Sequence, residues 1–165
     1  MTRLLAIDLG ERRIGLAVAD TDSGSVRPLA TLRRADDERN ARALAHMAQE
    51  QRIDELVVGL PLNMDGSEGA QAAVTRAWAA VIAELCGLPV AWRDERMTSV
   101  KAEFETGPPA RGKGGGPPSA AARDAHRARI DRLAAAAIAQ AELDARAADR
   151  TDELDARAAA RTAER

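Results

Sequence analysis

Tyrosine is absent, and Trp78, Trp92 and Phe104 are the only aromatic residues. The core must therefore be aliphatic, and almost nothing is available to build an aromatic platform on which single-stranded bases stack. The single cysteine, Cys86, rules out an internal disulfide, fits a reducing compartment and reads as a core filler. Together with only two histidines it leaves too few ligands for a zinc cage. No apolar run approaches the roughly 20 residues of a membrane span. The N-terminus also lacks the basic stretch and apolar run of a secretory signal. A cytoplasmic location without membrane contact is expected. An excess of either charge is missing too, since the formal net charge is −2. That excludes a globally basic nucleic-acid binder but leaves room for a local basic face.

What remains is a 165-residue chain with 45% hydrophobic residues, enough for one domain with a real core. Alanine inflates that figure in the last third. The stretch LLAIDLGERRIGLAVAD, residues 4–20, holds two short apolar runs around the break Asp8-Leu9-Gly10, which reads as an antiparallel hairpin. Gly10 and Gly15 allow a tight turn or close approach of a ligand. Residues 26–34 form a third strand, in which Pro28 favours an edge or irregular position. A helix is expected from Asp36-Asp37 to about Arg52. Leu56 to Leu60 is apolar throughout and reads as a central strand covered on both faces. A long helix follows from Ser67-Glu68 to Cys86, with Val74, Trp78, Val81, Ile82 and Leu85 at apolar helical spacing and Gly87 as its C-cap. Pro89 to Trp92 makes a short strand that delivers Asp94-Glu95-Arg96. Thr98 can cap a helix across Val100 to Phe104.

Residues 107–118, GPPARGKGGGPP, cannot hold a helix or a strand interior and predict a flexible loop within the domain. A helix starts near Ser119. The tail repeats ELDARAA at an offset of eleven, from Glu142 and again from Glu153. Eleven residues are close to three helical turns. Residues 141–165 thus read as a charged, Ala-rich helical or disordered extension, and residues 1–140 as the domain. The order β-β-β-α-β-α-β-α-loop-α implies an α/β protein with a mixed sheet and helices on both faces.

Three acids stand at element ends or on an inward stripe. Asp8 closes the first strand, where it starts a turn or faces a cleft as a metal ligand. Asp94 or Glu95 closes the last strand. Asp131 lies beside Ile130 in the late helix, either paired to Arg127 or Arg132 or aimed into the cleft. Hard cations are commonly held by one or two carboxylates plus phosphate and water, and two ions can clamp an in-line attack of water on a phosphodiester. Between residues 107 and 133, Arg111, Lys113, Arg123, Arg127, Arg129 and Arg132 outnumber Asp124 and Asp131. Such a stretch is either a solvated linker or a contact for the phosphate backbone. Asn63 and Asp65 sit past the central strand, where α/β proteins place sites and where turns also use these residues.

Asp8-Leu9-Gly10 with Arg13 and Ile14-Gly15, then VVGLPLNMDGSE, DERMTS and IDRLAAAAI, resemble in order the YqgF/RuvX family. Its members are bacterial pre-16S rRNA nucleases related to Holliday junction resolvases. The resemblance covers about residues 4–140. It implies an RNase H-like fold with a five-stranded mixed sheet, and a hydrolase that cleaves RNA by two-metal-ion chemistry with Mg²⁺ or Mn²⁺. It implies a role in ribosome biogenesis, processing the 5′ end of the 16S rRNA precursor on RNA or ribosomal particles, as a monomer or weak homodimer. The alternatives are a resolvase acting on four-way DNA and a non-catalytic nucleic-acid-binding module. By the resemblance, Asp8, Glu95 and Asp131 are the catalytic and metal-binding acids, with Asp94 able to replace Glu95. Gly10, Arg13, Asn63, Arg96, Thr98 and Lys113 are the substrate-binding positions.

Overall fold

The computed structural model describes residues 1–96, 105–112 and 114–163. Five strands, β1 (Arg3–Leu9), β2 (Arg13–Asp20), β3 (Val26–Arg33), β4 (Glu55–Leu60) and β5 (Val90–Asp94), form one sheet in the order β3-β2-β1-β4-β5. The β1–β2 and β2–β3 pairs are antiparallel, and the β1–β4 and β4–β5 pairs are parallel. The mixed sheet expected from the sequence is therefore present. Pro28 lies on the edge strand β3, next to a register shift in β2 at Leu16/Ala17. An edge strand needs no donor on its outer side, so the missing N–H is tolerated there.

Helices α1 (Asp37–Glu50) and α2 (Ala70–Cys86) cover one face of the sheet, and the 44-residue helix α3 (Ala120–Ala163) crosses the other. Asp36 caps α1 by accepting from the Arg39 N–H, and Gly87 ends α2 at φ +64°. A left-handed residue at that position satisfies the last helical carbonyls, and glycine adopts it without strain. The helix expected across residues 100–104 lies outside the described residues. Between 107 and 118 the described residues form neither helix nor strand.

Strand alternation sorts the side chains by size. Leu5, Ile7, Leu9, Ile14, Leu16, Leu56 and Val58 pack toward α1 and α2. The opposite face carries Leu4, Ala6, Ala17, Ala19 and Val57, which meet Ala135, Ile138, Ala139 and Leu143 of α3. Alanine against alanine lets helix and sheet approach closely. The closest point is Gly15, where an added Cβ would collide with the main chain of Asp131.

One expectation is corrected. Val74, Val81 and Leu85 of α2 are exposed, and the buried residues are Ala72, Thr75, Trp78, Ala79 and Ile82. Trp78 and Ile82 of the expected stripe are buried, the small residues Ala72, Thr75 and Ala79 complete that face, and Val74, Val81 and Leu85 fall to the flank. The packed body also runs past residue 140. Leu143 is buried, and Glu142, only 2% exposed, pairs with Arg93 and with Arg146 Nε at 2.6 Å. Arg146 in turn reaches Glu55 at 2.7 Å.

Gly15→Ala should cost about 1–3 kcal/mol, because the colliding atoms are backbone and cannot swing away. At roughly 2–4 °C per kcal/mol for a chain of this size, thermal melting should fall by several degrees. Ala19→Gly on the same strand face should not reproduce the displacement of Asp131. An unchanged melting temperature for Gly15→Ala would mean that α3 does not seat this closely.

Candidate active site

The small-residue face that receives α3 is apolar along most of β1 but ends in Asp8, in phase with Leu4 and Ala6. Asp8 is paired in register with Gly15, the residue over which α3 lays Asp131. The third acid arrives from β5. The Glu95 N–H donates to the Leu60 carbonyl at 3.2 Å, so the chain stays zipped to β4 one residue beyond the strand. Its side chain turns in over Gly59, whose added Cβ would stand 2.6 Å from Glu95 Oε2. Glycine at 59 therefore makes the room in which this carboxyl sits. Asp94 points elsewhere: it is exposed and accepts from Arg96, Nε at 2.8 Å and the backbone N–H at 2.9 Å. Of the two adjacent acids, Glu95 is the one that faces Asp8.

Electrostatics follow from this crowding. Burial pushes the Asp8 carboxyl up to about 6, and the charge of Asp131 adds to the rise. Burial likewise raises Glu95 to about 7, with Asp8 and then Asp94 contributing. Arg96 holds Asp94 below the usual carboxylate range. Asp131 is met by Arg13, whose Nε donates to Oδ2 at 2.5 Å, while Arg13 Nη1 lies 3.5 Å from Asp124. The pairing of Asp131 with Arg127 or Arg132 weighed from sequence is replaced by this longer-range one.

The remaining sequence candidates divide. Gly10 closes the β1–β2 turn, its N–H donating to the Arg13 carbonyl at 2.9 Å. Asn63 is exposed and orders its own loop, Nδ2 donating to Ser67 Oγ at 2.9 Å. Arg96 joins that loop to the end of β5 through Nη1 and the Met64 carbonyl at 3.2 Å. Gly10, Asn63 and Arg96 thus shape the rim rather than point at Asp8. Thr98 and Lys113 lie outside the described residues. Sequence reasoning missed the buried Glu142. The signal was available, because Ile138 and Glu142 are four apart and continue the inward stripe of α3.

Among the described residues no three acidic, histidine or cysteine side chains form a ready-made ion cage. The donor chemistry still fits a hard divalent cation. Asp8 and Glu95 are desolvated carboxylates that resist ionising together, and such ions take as few as one or two carboxylates. Asp131 could complete the set on release from Arg13.

The raised proton affinities have a sign for stability. Each carboxyl binds its proton more tightly folded than unfolded, so its contribution is present at acid pH and lost as pH rises from about 4 through about 7. Without divalent cations, Asp8→Asn should therefore melt higher than the native chain at pH 7.5. The gain should be on the order of 1–2 kcal/mol, less than the full shift implies because the cleft is partly open. At pH 4.5 the gap should close. Equal melting curves at both pH values, recorded in chelator, would contradict the strain assigned to Asp8.

Comparison with known proteins agrees with this architecture. The sequence model described as "RuvX: Holliday junction resolvase" matches residues 2–145. A protein of Anaeromyxobacter sp. (strain Fw109-5), named "Putative pre-16S rRNA nuclease", is 42% identical over 144 residues, 87% of this chain and 98% of its own length. One of the same name from Chloroflexus aurantiacus is 39% identical over 143 residues, 87% of either chain. The structure of T. thermophilus RuvC in complex with a Holliday junction substrate superposes with a TM-score of 0.53 at 18% identity, over 90% of this chain and 97% of that one. The Fowlpox virus resolvase with its junction DNA gives 0.52 at 10% identity, over 87% and 98%. At those identities the likeness speaks for the fold, which is RNase H-like. On the match over residues 2–145 and the 42% identity across almost the whole of a relative, the chain belongs to the RuvX family.

Proposed function

We propose that this chain is an endonuclease that hydrolyses phosphodiester bonds in RNA, with the 5′ end of the 16S rRNA precursor as its substrate. It acts in the cytoplasm on the precursor or on particles that contain it. The observation that carries the reading is the pair of half-buried carboxyls, Asp8 and Glu95, at the edge of the α3-covered face. Membership of the RuvX family and the names of its relatives supply the substrate class. Among the described residues no helix is long and apolar enough to cross a membrane.

Asp8 and Glu95 would hold Mg²⁺ or Mn²⁺, with Asp131 as the third ligand. Such an ion supplies charge stabilisation at the phosphoryl oxygens and a more acidic water. The chain's own residues do the rest. Asp8, fixed at the end of a central strand, sets where the scissile phosphate is read. Burial raises the proton affinity of Glu95 to about 7, and a cation held beside it would favour the carboxylate. Arg13 presents its guanidinium at the cleft edge, where an incoming phosphate competes with Asp131 for it. That exchange frees Asp131 as substrate binds, and the guanidinium fork suits phosphate geometry.

A junction resolvase is the second reading, favoured by the description of the matching family. The test is Mn²⁺-dependent cleavage by the native chain and by Asp8→Asn. The substrates are a precursor 16S 5′-end fragment, a generic single-stranded RNA and a four-way DNA junction. Cleavage of the precursor should fall by at least about 10³-fold in Asp8→Asn, consistent with loss of a group acting on the transition state. Full activity in Asp8→Asn would sink the assignment, and cutting confined to the junction would transfer it to the resolvase.

A further inference from the structure

Beside the acids runs a groove that no sequence signal singled out as a unit. Its walls are the β1–β2 turn, the end of β3 and the first turns of α3. Arg12, Arg33, Arg34 and Arg127 line it, with Arg13 at its inner end. Glu11 and Asp124 are the only acids among its lining residues. Glu11, Arg12 and Arg13 also line the adjoining hollow that contains Gly10 and Asp131, so the groove borders the third acid.

Its charges are available and its walls are fixed. The Arg33 side chain is 88% exposed and stands 3.9 Å from Asp124, at the limit of an ion pair. Among the described residues Arg12 and Arg127 have no acidic partner within 4 Å. Thr31 Oγ1 donates to the Ala128 carbonyl at 2.6 Å, which ties β3 to α3 under the groove. The Arg34 N–H donates to the Arg12 carbonyl at 2.9 Å, and Arg34 Nη1 to the Gly10 carbonyl at 3.2 Å. Backbone bonds thus hold the arginines in place, while most of their guanidinium donors stay turned to solvent.

We propose that this groove binds the phosphate backbone of a paired RNA segment flanking the cut. The inference rests on the RNA-nuclease reading and deepens it. Arginine forks without an aromatic neighbour recognise phosphates, whereas single strands are gripped by stacking as well. Among the described residues no ring lines this groove. A paired segment presents its phosphates at fixed spacing and hides its base faces, which matches a rigid, ring-free, cationic wall. The net charge of −2 conceals this surface, because the compensating acids lie in the cleft and elsewhere on the chain.

Salt dependence tests the groove apart from catalysis. Full-length Asp8→Asn protein is titrated into a labelled RNA hairpin with a short 5′ extension, and into an unpaired RNA of equal length, from about 50 to 200 mM KCl. Arg33→Ser with Arg127→Ser in that background should lower the slope of log affinity against log salt by roughly 2, one for each phosphate that no longer meets an arginine. The fall in affinity should be larger on the hairpin. Arg150→Ser with Arg157→Ser, which removes two charges from the far end of α3, should leave the slope unchanged. Hairpin binding with the same slope in the groove variant would overturn the groove and spare the nuclease reading. An effect confined to unpaired RNA would overturn the paired segment as its ligand. RNA that does not bind the Asp8→Asn protein at all would overturn both.

Discussion

The contact on which the site depends is the seating of α3 on the small-residue face of the sheet. Gly15 leaves no room for even one carbon between β2 and the Asp131 main chain. Alanines at 6, 17 and 19 meet alanines at 135 and 139, so the helix axis sits close along its packed length. Dispersion falls off steeply with separation, and a helix lifted by a side chain's thickness would forfeit much of this attraction. The same closeness brings an acid on α3 above an acid on β1. Packing and chemistry are therefore set by one geometric fact.

The inward stripe of α3 carries two acids eleven residues apart, Asp131 and Glu142, close to three turns and so on one side. Their surroundings differ. Glu142 is 2% exposed and answered by both Arg93 and Arg146, with Glu55 closing the network. A buried acid with two guanidinium partners is a finished structural element, costly to disturb and unavailable to a ligand. Asp131 is answered by Arg13 at 2.5 Å, is partly open, and stands near enough to Asp8 to raise that carboxyl's proton affinity. Its neighbourhood holds more negative charge than the chain neutralises locally. A cation or a phosphate that recruits Arg13 would each relieve part of that imbalance.

The strands were legible because their signals are local. Apolar runs and Gly and Pro breaks gave the order of strands along the chain, Pro28 an edge position for the third, and Gly87 the end of α2. The family motifs pointed to Asp8, Glu95 and Asp131, and the structure brings these three to one end of the α3-covered face. What periodicity could not tell was which side of α2 would be covered. Trp78 and Ile82 of the expected stripe are buried, yet tertiary packing turned the covered face toward Ala72, Thr75 and Ala79 and left Val74, Val81 and Leu85 exposed. The burial of Glu142 and Leu143 was hard to read for a related reason. Charge made the segment after 140 look like solvent-facing tail, although a buried glutamate is acceptable where two arginines converge on it from β5 and from its own helix.

The groove of arginines shows the same limit from the other side. Arg12, Arg33, Arg34 and Arg127 come from three parts of the chain, and only Arg33 and Arg34 are neighbours in sequence. Summed over the chain, their charge is cancelled by acids elsewhere. In space it is not cancelled, because the screening length at physiological salt, about 8 Å, is shorter than the distance across a domain. A phosphate in the groove is governed by its nearest arginines, while a cation in the cleft is governed by Asp8 and Glu95. A nearly neutral protein can thus attract a polyanion to one surface and a divalent cation to the hollow beside it. The two attractions act side by side, linked only through Arg13, provided the walls between them stay fixed. The Thr31–Ala128 bond and the Gly10–Arg13 turn provide that fixity.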